Sequence, residues 1–208
     1  MKPMFTKRVL SYLVDIIIVF TFVGLLTSLI PISEKAKKIN DDIVDIYKSV
    51  SEKEINYKTY SKTLMSYNYD LSKETVINTL VTIVIYILYF VIYPLVNKGQ
   101  TIGKKLTKIK IVNIDKTKKL TTNNMLIREF ILHGIIFDLL MIVLILFINK
   151  KTYMFINGTV GFVEIIVSIS ILLMIIIRKD GRGLHDLLGN TIVINEEEVK
   201  WENLQSKN

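Results

Sequence analysis

The chain contains no cysteine. That absence excludes disulfides, thiolate metal sites and thiol nucleophiles. It has only two histidines, His133 and His185, too few for a histidine-rich metal site. No serine or other nucleophile is marked beside a base, so we expect no enzymatic activity, no catalytic residues, no metal and no cofactor. The first apolar run is not followed by a small-x-small cleavage site, since Pro31-Ile32-Ser33 does not fit one. That run is also too long for the apolar core of a signal peptide, so it is expected to be an uncleaved first helix.

What is present is hydrophobic length. Half of the 208 residues are hydrophobic, and the mean hydropathy is +0.41. Four runs of roughly 19 to 22 residues match the thickness of a bilayer's hydrocarbon core. They are Val9–Ile30, Val76–Val96, Phe130–Ile148 and Gly158–Ile177. The second carries no charged residue. A soluble helical protein of this size has no use for four separate runs of that length. The expected fold is an all-α integral membrane domain spanning residues 1–208. It is a four-helix transmembrane bundle with a small cytoplasmic β pair and an extracytoplasmic helical insert.

The net charge of +8 is concentrated in segments that flank the apolar runs. It points to membrane orientation and anionic headgroups, not to nucleic acid. Segment 97–128 holds nine lysines and arginines, from Lys98 to Arg128, against the single acid Asp115. Segment 31–72 is balanced. Because basic loops stay in the cytoplasm, 97–128 and the tail 178–208 are expected inside, with 31–72 and 149–157 outside. Lys150 and Lys151 in the short outer loop oppose this assignment and are outnumbered.

In the outer segment Ile39, Ile43, Ile46, Tyr47 and Val50 recur at helical spacing, as do Tyr57, Tyr60, Leu64 and Tyr67. Two amphipathic helices are expected there. The inner segment alternates over Lys108–Ile114, a strand signal. Asp115-Lys116-Thr117-Lys118 reads as a turn, and Thr121 to Asn124 offer caps for a helix starting near Met125. Thr191-Ile192-Val193-Ile194 is a second β-branched run. Two isolated strands on one side of a membrane are expected to pair, because neither satisfies its backbone alone.

Charged residues within the runs are costly and face protein or cavity. Arg8, Ser11 and Asp15 share one face of the first helix. Asp138 lies in the third run. Glu164 lies in the fourth, with Gly161 and Ser168 on its face. One reading makes Asp15, Asp138 and Glu164 a staggered ladder that trades protons or binds a cation. The other has them pair with Arg8, Arg128 or His133 and hold the bundle together. The stretch Gly99-Gln100-Thr101-Ile102-Gly103 permits tight turns and close backbone approach. Without a G-K-[ST] loop it reads as a turn that seats the following strand, not as a nucleotide site.

Three stretches together resemble the RDD family, named for one arginine and two aspartates. They are Lys7-Arg8 through Asp15, Asn97-Lys98-Gly99-Gln100-Thr101-Ile102-Gly103-Lys104-Lys105-Leu106, and Asp180 through Leu188 with His185-Asp186. The resemblance implies Arg8, Asp15 and Asp186 as the named residues. It adds Arg128 as a further candidate, and Gly99, Gln100, Thr101, Gly103 and His185 as motif positions. Asp138 and Glu164 lie outside the matched stretches, and the 31–72 insert is longer than is usual for the family. Some members are linked to sodium–proton exchange.

The expected function is that of a transporter or cation/proton exchange component using intramembrane carboxylates. The alternative is a membrane scaffold or regulatory subunit of a partner complex. Expected partners are the lipid bilayer, a monovalent cation or proton, and a second copy or another membrane protein, since four helices are few for a transport path. Arg8, Asp15, Arg128 and Asp186 are expected to converge at the inner end of the bundle, with Arg8 reaching Asp15.

Overall fold

The computed structural model describes residues 3–52 and 56–196. Lys2 of the basic N-terminal tail, part of the insert and the end of the 178–208 tail lie outside the described residues. The chain is mostly helical. Helix α1 (Phe5–Ser28) is the first apolar run, begun four residues earlier than the hydropathy alone indicated. Among the described residues, three helical stretches are long and apolar enough to cross a membrane: Phe5–Ser28, Val76–Val96 and Lys150–Ile177.

The insert folds as the two expected helices, α2 (Glu34–Ser51) and α3 (Tyr57–Glu74). Ser33 caps α2 by accepting from the Ala36 N–H at 3.0 Å, and it donates to Glu74 at 2.9 Å. Lys35 pairs with the same carboxylate at 2.7 Å. The start of α2 is thereby tied to the end of α3, and Tyr47 meets Tyr60 toward the other end of this antiparallel hairpin.

The uncharged second run forms one rod, Val76–Val96, built from α4 (Val76–Tyr86), a π-helical turn (Ile87–Ile92) and α5 (Tyr93–Val96). Pro94 lacks an N–H, and in a straight α-helix its ring would press on the carbonyl of Phe90. The wide turn lies directly before it.

The third run departs from expectation. Residues Phe130–Ile148 do not form one helix. α7 (Thr122–Leu132) and α8 (Ile135–Phe147) meet at a 74° bend. Gly134 stands at the break with φ 68°, a left-handed conformation that favours glycine. At 13 residues, α8 alone is about 20 Å long, short of the hydrocarbon core. A fourth span exists only if the bent pair is counted as one. The capping box of Thr121 with Asn124 starts α7 three residues ahead of Met125.

The fourth run is likewise corrected. α9 runs from Lys150 to Ile177, and Asn149 caps it by accepting from the Thr152 N–H at 3.0 Å. Residues expected as an outer loop, 149–157, are therefore almost entirely helix. Lys150 pairs with Asp70 of α3, and Tyr153 packs edge-on against Tyr69 with centroids 5.0 Å apart. Those contacts dock the insert hairpin on α9, which accounts for the lysine at a position where the charge pattern disfavoured one.

At the opposite end lie short α6 (Ile102–Leu106), β1 (Ile109–Asn113), α10 (Leu184–Leu188) and β2 (Thr191–Asn195). The strands pair antiparallel with Ile111 opposite Val193, as the two β-branched runs indicated. Ile109, Ile111 and Val193 turn inward onto Val91 of the π turn and Met125 of α7, closing a small apolar core beneath the helices.

Candidate functional site

Two carboxylates organise this cap. Asp15 is fully buried on α1. It accepts from Thr101 Oγ1 at 2.6 Å, Tyr89 OH at 2.7 Å and the Gly103 backbone N–H at 2.8 Å. Lys104 Nζ stands 3.5 Å away. The glycine-rich turn thus wraps around the α1 carboxylate. Thr101 contributes both a cap for α6 and a hydroxyl to Asp15. Gln100 donates to the Ile109 carbonyl at 3.0 Å and fixes the start of β1. Gly99 has φ 82°, and a Cβ there would overlap the Ile111 carbonyl oxygen at 2.0 Å.

Asp186, also fully buried, joins four segments. Arg128 of α7 and Thr191 of β2 donate to one oxygen, the threonine at 3.1 Å. Arg8 of α1 at 3.4 Å and the Gly183 N–H at 3.3 Å donate to the other. Arg128 also holds its neighbour Glu129 at 2.9 Å, and Glu129 stands 3.2 Å from His133. His133 is enclosed by rings, with Phe90 at 4.0 Å, Tyr86 at 5.1 Å and Tyr12 at 5.9 Å between centroids.

The electrostatics of the groups outside the spans follow from burial. Burial would raise the Asp186 carboxyl, but Arg128, His185 and Arg8 overcome it and hold it at about 2. Burial pushes His185 down to about 3, reinforced by Arg128 and Arg8 against the opposing pull of Asp186, so the ring is neutral at physiological pH. Burial also lowers Lys104, with Asp15 and Glu129 opposing.

Of the four residues expected to converge, Arg8, Arg128 and Asp186 do so. Asp15 does not join them. Arg8 turns to Asp186, and the cation nearest Asp15 is Lys104. An arginine at i−7 lies within reach of an aspartate by helix geometry alone, but the turn at 99–103 occupies that space first. Tyr89, Lys104, Glu129 and Thr191 complete the two clusters and were not singled out from sequence. Lys104 and Thr191 lie in or just past the motif stretches and Glu129 adjoins Arg128, whereas nothing in the sequence marks Tyr89.

Asp138 and Glu164 belong to neither cluster. Three cavities run through the helices. The first, about 360 Å³, lies at the cap and touches Arg8, Lys104 and Arg128. The second, about 240 Å³, shares Tyr12, Leu132 and Ser168 with the first and adds His133 and Glu164. The third, about 220 Å³, shares Phe137 and Glu164 with the second and adds Asp138 and Ser72. His133 was not expected at the depth of Glu164, yet both line one cavity. Among the described residues neither Asp138 nor Glu164 has an ion-pair partner.

Several apolar spans, broken near one end and closed by a polar cap around buried aspartates, define an integral membrane protein. The RDD family model matches residues 2–190, and the chain belongs to that family. No curated protein and no solved structure matches it.

Proposed function

We propose that this chain is a cation/proton exchange component of the cell membrane, a transport part and not an enzyme. The observation that carries this reading is Glu164, which lines two successive cavities and has no ion-pair partner among the described residues. A carboxylate inside a span with no fixed countercharge either holds a proton or binds a monovalent cation. Asp138 lies one cavity further along, toward the insert. Tyr12 and Ser168 lead from the Glu164 cavity to the cap.

Both carboxylates are exposed on the surface of a single chain. Bare against lipid that arrangement is costly, so the path is completed by a second copy or another membrane protein. The charge of 97–128 supports an orientation with the cap and both termini in the cytoplasm and the insert outside. Asp15 and Asp186, in contrast, are fully engaged in hydrogen bonds and ion pairs, so they hold the cap and do not move ions.

The test is flux of sodium, potassium and protons in proteoliposomes. Wild-type protein should exchange a monovalent cation for protons, and Glu164→Gln should abolish exchange at equal protein level with thermal stability retained. Wild-type flux in that variant removes Glu164 from any path. A second reading, a scaffold or regulatory subunit, is favoured by the docked insert hairpin, which presents exposed Val44, Tyr47 and Tyr57. Absent flux together with a partner lost on deleting 34–74 would establish it.

A further inference from the structure

The cap cavity of about 360 Å³ has a two-sided lining. One side is basic: Arg8, Lys104 and Arg128 all touch it. Among the described residues, no aspartate or glutamate lines it. Asp15, Asp186 and Glu129 contact these cations but stand outside the cavity wall. The other side is apolar and belongs to α1 and α9, with Phe5, Val9, Leu172 and Ile175. Phe5, Val9 and Leu172 are also exposed on the outer surface of the spans, so the cavity opens toward lipid. A fourth cavity of about 190 Å³ continues along the same helices, sharing Phe5, Arg8 and Ile175 with the cap cavity.

The polar side is incompletely satisfied. Charge-assisted N–H···O bonds are normally about 2.7–2.9 Å. The contacts of Arg8 among the described residues are both 3.4 Å, to Asp186 and to the Val193 carbonyl. Those of Lys104 Nζ are 3.3 Å to Thr101 and 3.5 Å to Asp15. Two further polar atoms on residues that line the cavity, Ser11 Oγ and His185 Nδ1, are buried with no hydrogen-bond partner among the described residues. Buried polar atoms without partners are uncommon and call for an explanation. His185 Nε2 stands 3.4 Å from the Asp186 carboxylate, an anion that favours the ring proton on that nitrogen and Nδ1 as the lone-pair acceptor. An occupant must therefore bring anionic oxygens for the cations, a hydroxyl for His185 and an apolar tail for the α1–α9 wall.

We propose that this cavity binds an anionic phospholipid with a hydroxylated headgroup, its phosphate between Arg8 and Lys104 and an acyl chain along Val9, Leu172 and Ile175. A second copy of the chain is the weaker occupant, because the exposed carboxylates of its spans, Asp138 and Glu164, lie at the level of the other two cavities and not of the cap. This site adjoins the Glu164 cavity through Tyr12, Leu132 and Ser168, but Glu164 does not line it and its test does not depend on flux.

The experiment is thermal unfolding and native mass spectrometry of the full chain in a neutral detergent. The probes are phosphatidylglycerol, phosphatidylcholine, glycerol 3-phosphate and inorganic phosphate. Phosphatidylglycerol should raise the unfolding temperature saturably and stay attached as a single adduct, with phosphatidylcholine bound at least about tenfold more weakly. Leu172→Trp fills the lipid-facing wall without touching the cap, and it should lose the adduct while unfolding at the unliganded temperature. Lys104→Gln should lose the preference for the anionic lipid. Equal retention of both lipids overturns the proposal. So does an equal shift from either soluble phosphate, which would make this a free-anion site. A dimer that Leu172→Trp dissociates, without any lipid adduct in the wild type, would assign the cavity to a second copy.

Discussion

Gly103 lies so close to α1 that a Cβ on it would stand 2.2 Å from the Ser11 carbonyl oxygen and 2.9 Å from the Asp15 carboxylate. Its own N–H donates to that carboxylate at 2.8 Å. The motif's second glycine is therefore required by contact distance and not by a turn angle.

Gly103→Ala should accordingly destabilise the protein. The obstacle is backbone on one side and a buried, hydrogen-bonded carboxylate on the other, and neither yields without moving α6 away from α1. Overpacking of this kind costs about 1–3 kcal/mol. Gly161→Ala is the control, because nothing stands within 4 Å of a Cβ there. Thermal unfolding in detergent should separate the two, with a clear loss for the first and none for the second.

Asp186→Asn should be among the most damaging single changes. It removes the countercharge of Arg8 and one of the two countercharges of Arg128, and uncovering a buried charge costs about 3–5 kcal/mol. Arg8→Gln should cost less, because Arg8 meets Asp186 only at 3.4 Å and is not fully buried, whereas Arg128 is buried against it. A double-mutant cycle measures the difference. Coupling of Asp186 to Arg128 should exceed its coupling to Arg8, and equal couplings would contradict the geometry.

Much of the cap was legible because its signals are local. β-branched runs at 109–112 and 191–194 give strands, and Thr121 with Asn124 gives a helix start. The charge partners were less legible. Arg8 and Asp15 share a helix face, which invites pairing, but the choice of partner depends on where the 99–103 turn lands, a tertiary fact. The break at His133–Gly134 was missed because hydropathy sums over a window and takes no account of a single residue at φ 68°. The true start of α9 was missed for the reverse reason. Lys150 and Lys151 depress the hydropathy, yet Asn149 caps a helix there and Asp70 receives the first lysine.

The acid limb of the stability profile should carry a signature of His185. Its pKa falls from 6.5 to about 3 on folding, because burial and two arginines disfavour the cation. Between those values the unfolded chain binds more protons than the folded one, so stability is full above about pH 6.5 and declines as pH falls toward 3. Asp186, whose value drops from 3.8 to about 2, adds its own loss only below 3.8. His185→Gln should flatten the dependence of unfolding temperature on pH between 6.5 and 3.8 and leave the steeper loss below it. An unchanged slope in that window would mean that the ring is charged in the folded protein.

Membrane orientation is open to a direct test, because the chain has no cysteine of its own and every introduced thiol is read without background. Ser51 ends α2 in the insert hairpin, and Thr117 lies in the exposed turn after β1. The α1, α4–α5 and α9 rods separate these two ends of the molecule. The excess of lysine and arginine over 97–128 favours the cytoplasm for the turn, and the balanced charge of 31–72 permits the hairpin to cross. Ser51→Cys should therefore react with a membrane-impermeant maleimide in intact cells, and Thr117→Cys only after permeabilisation. The opposite pattern would invert the whole chain and place the Asp186 cap outside. Labelling of both from one side would mean that the Val76–Val96 rod, the span that lies between them, does not cross.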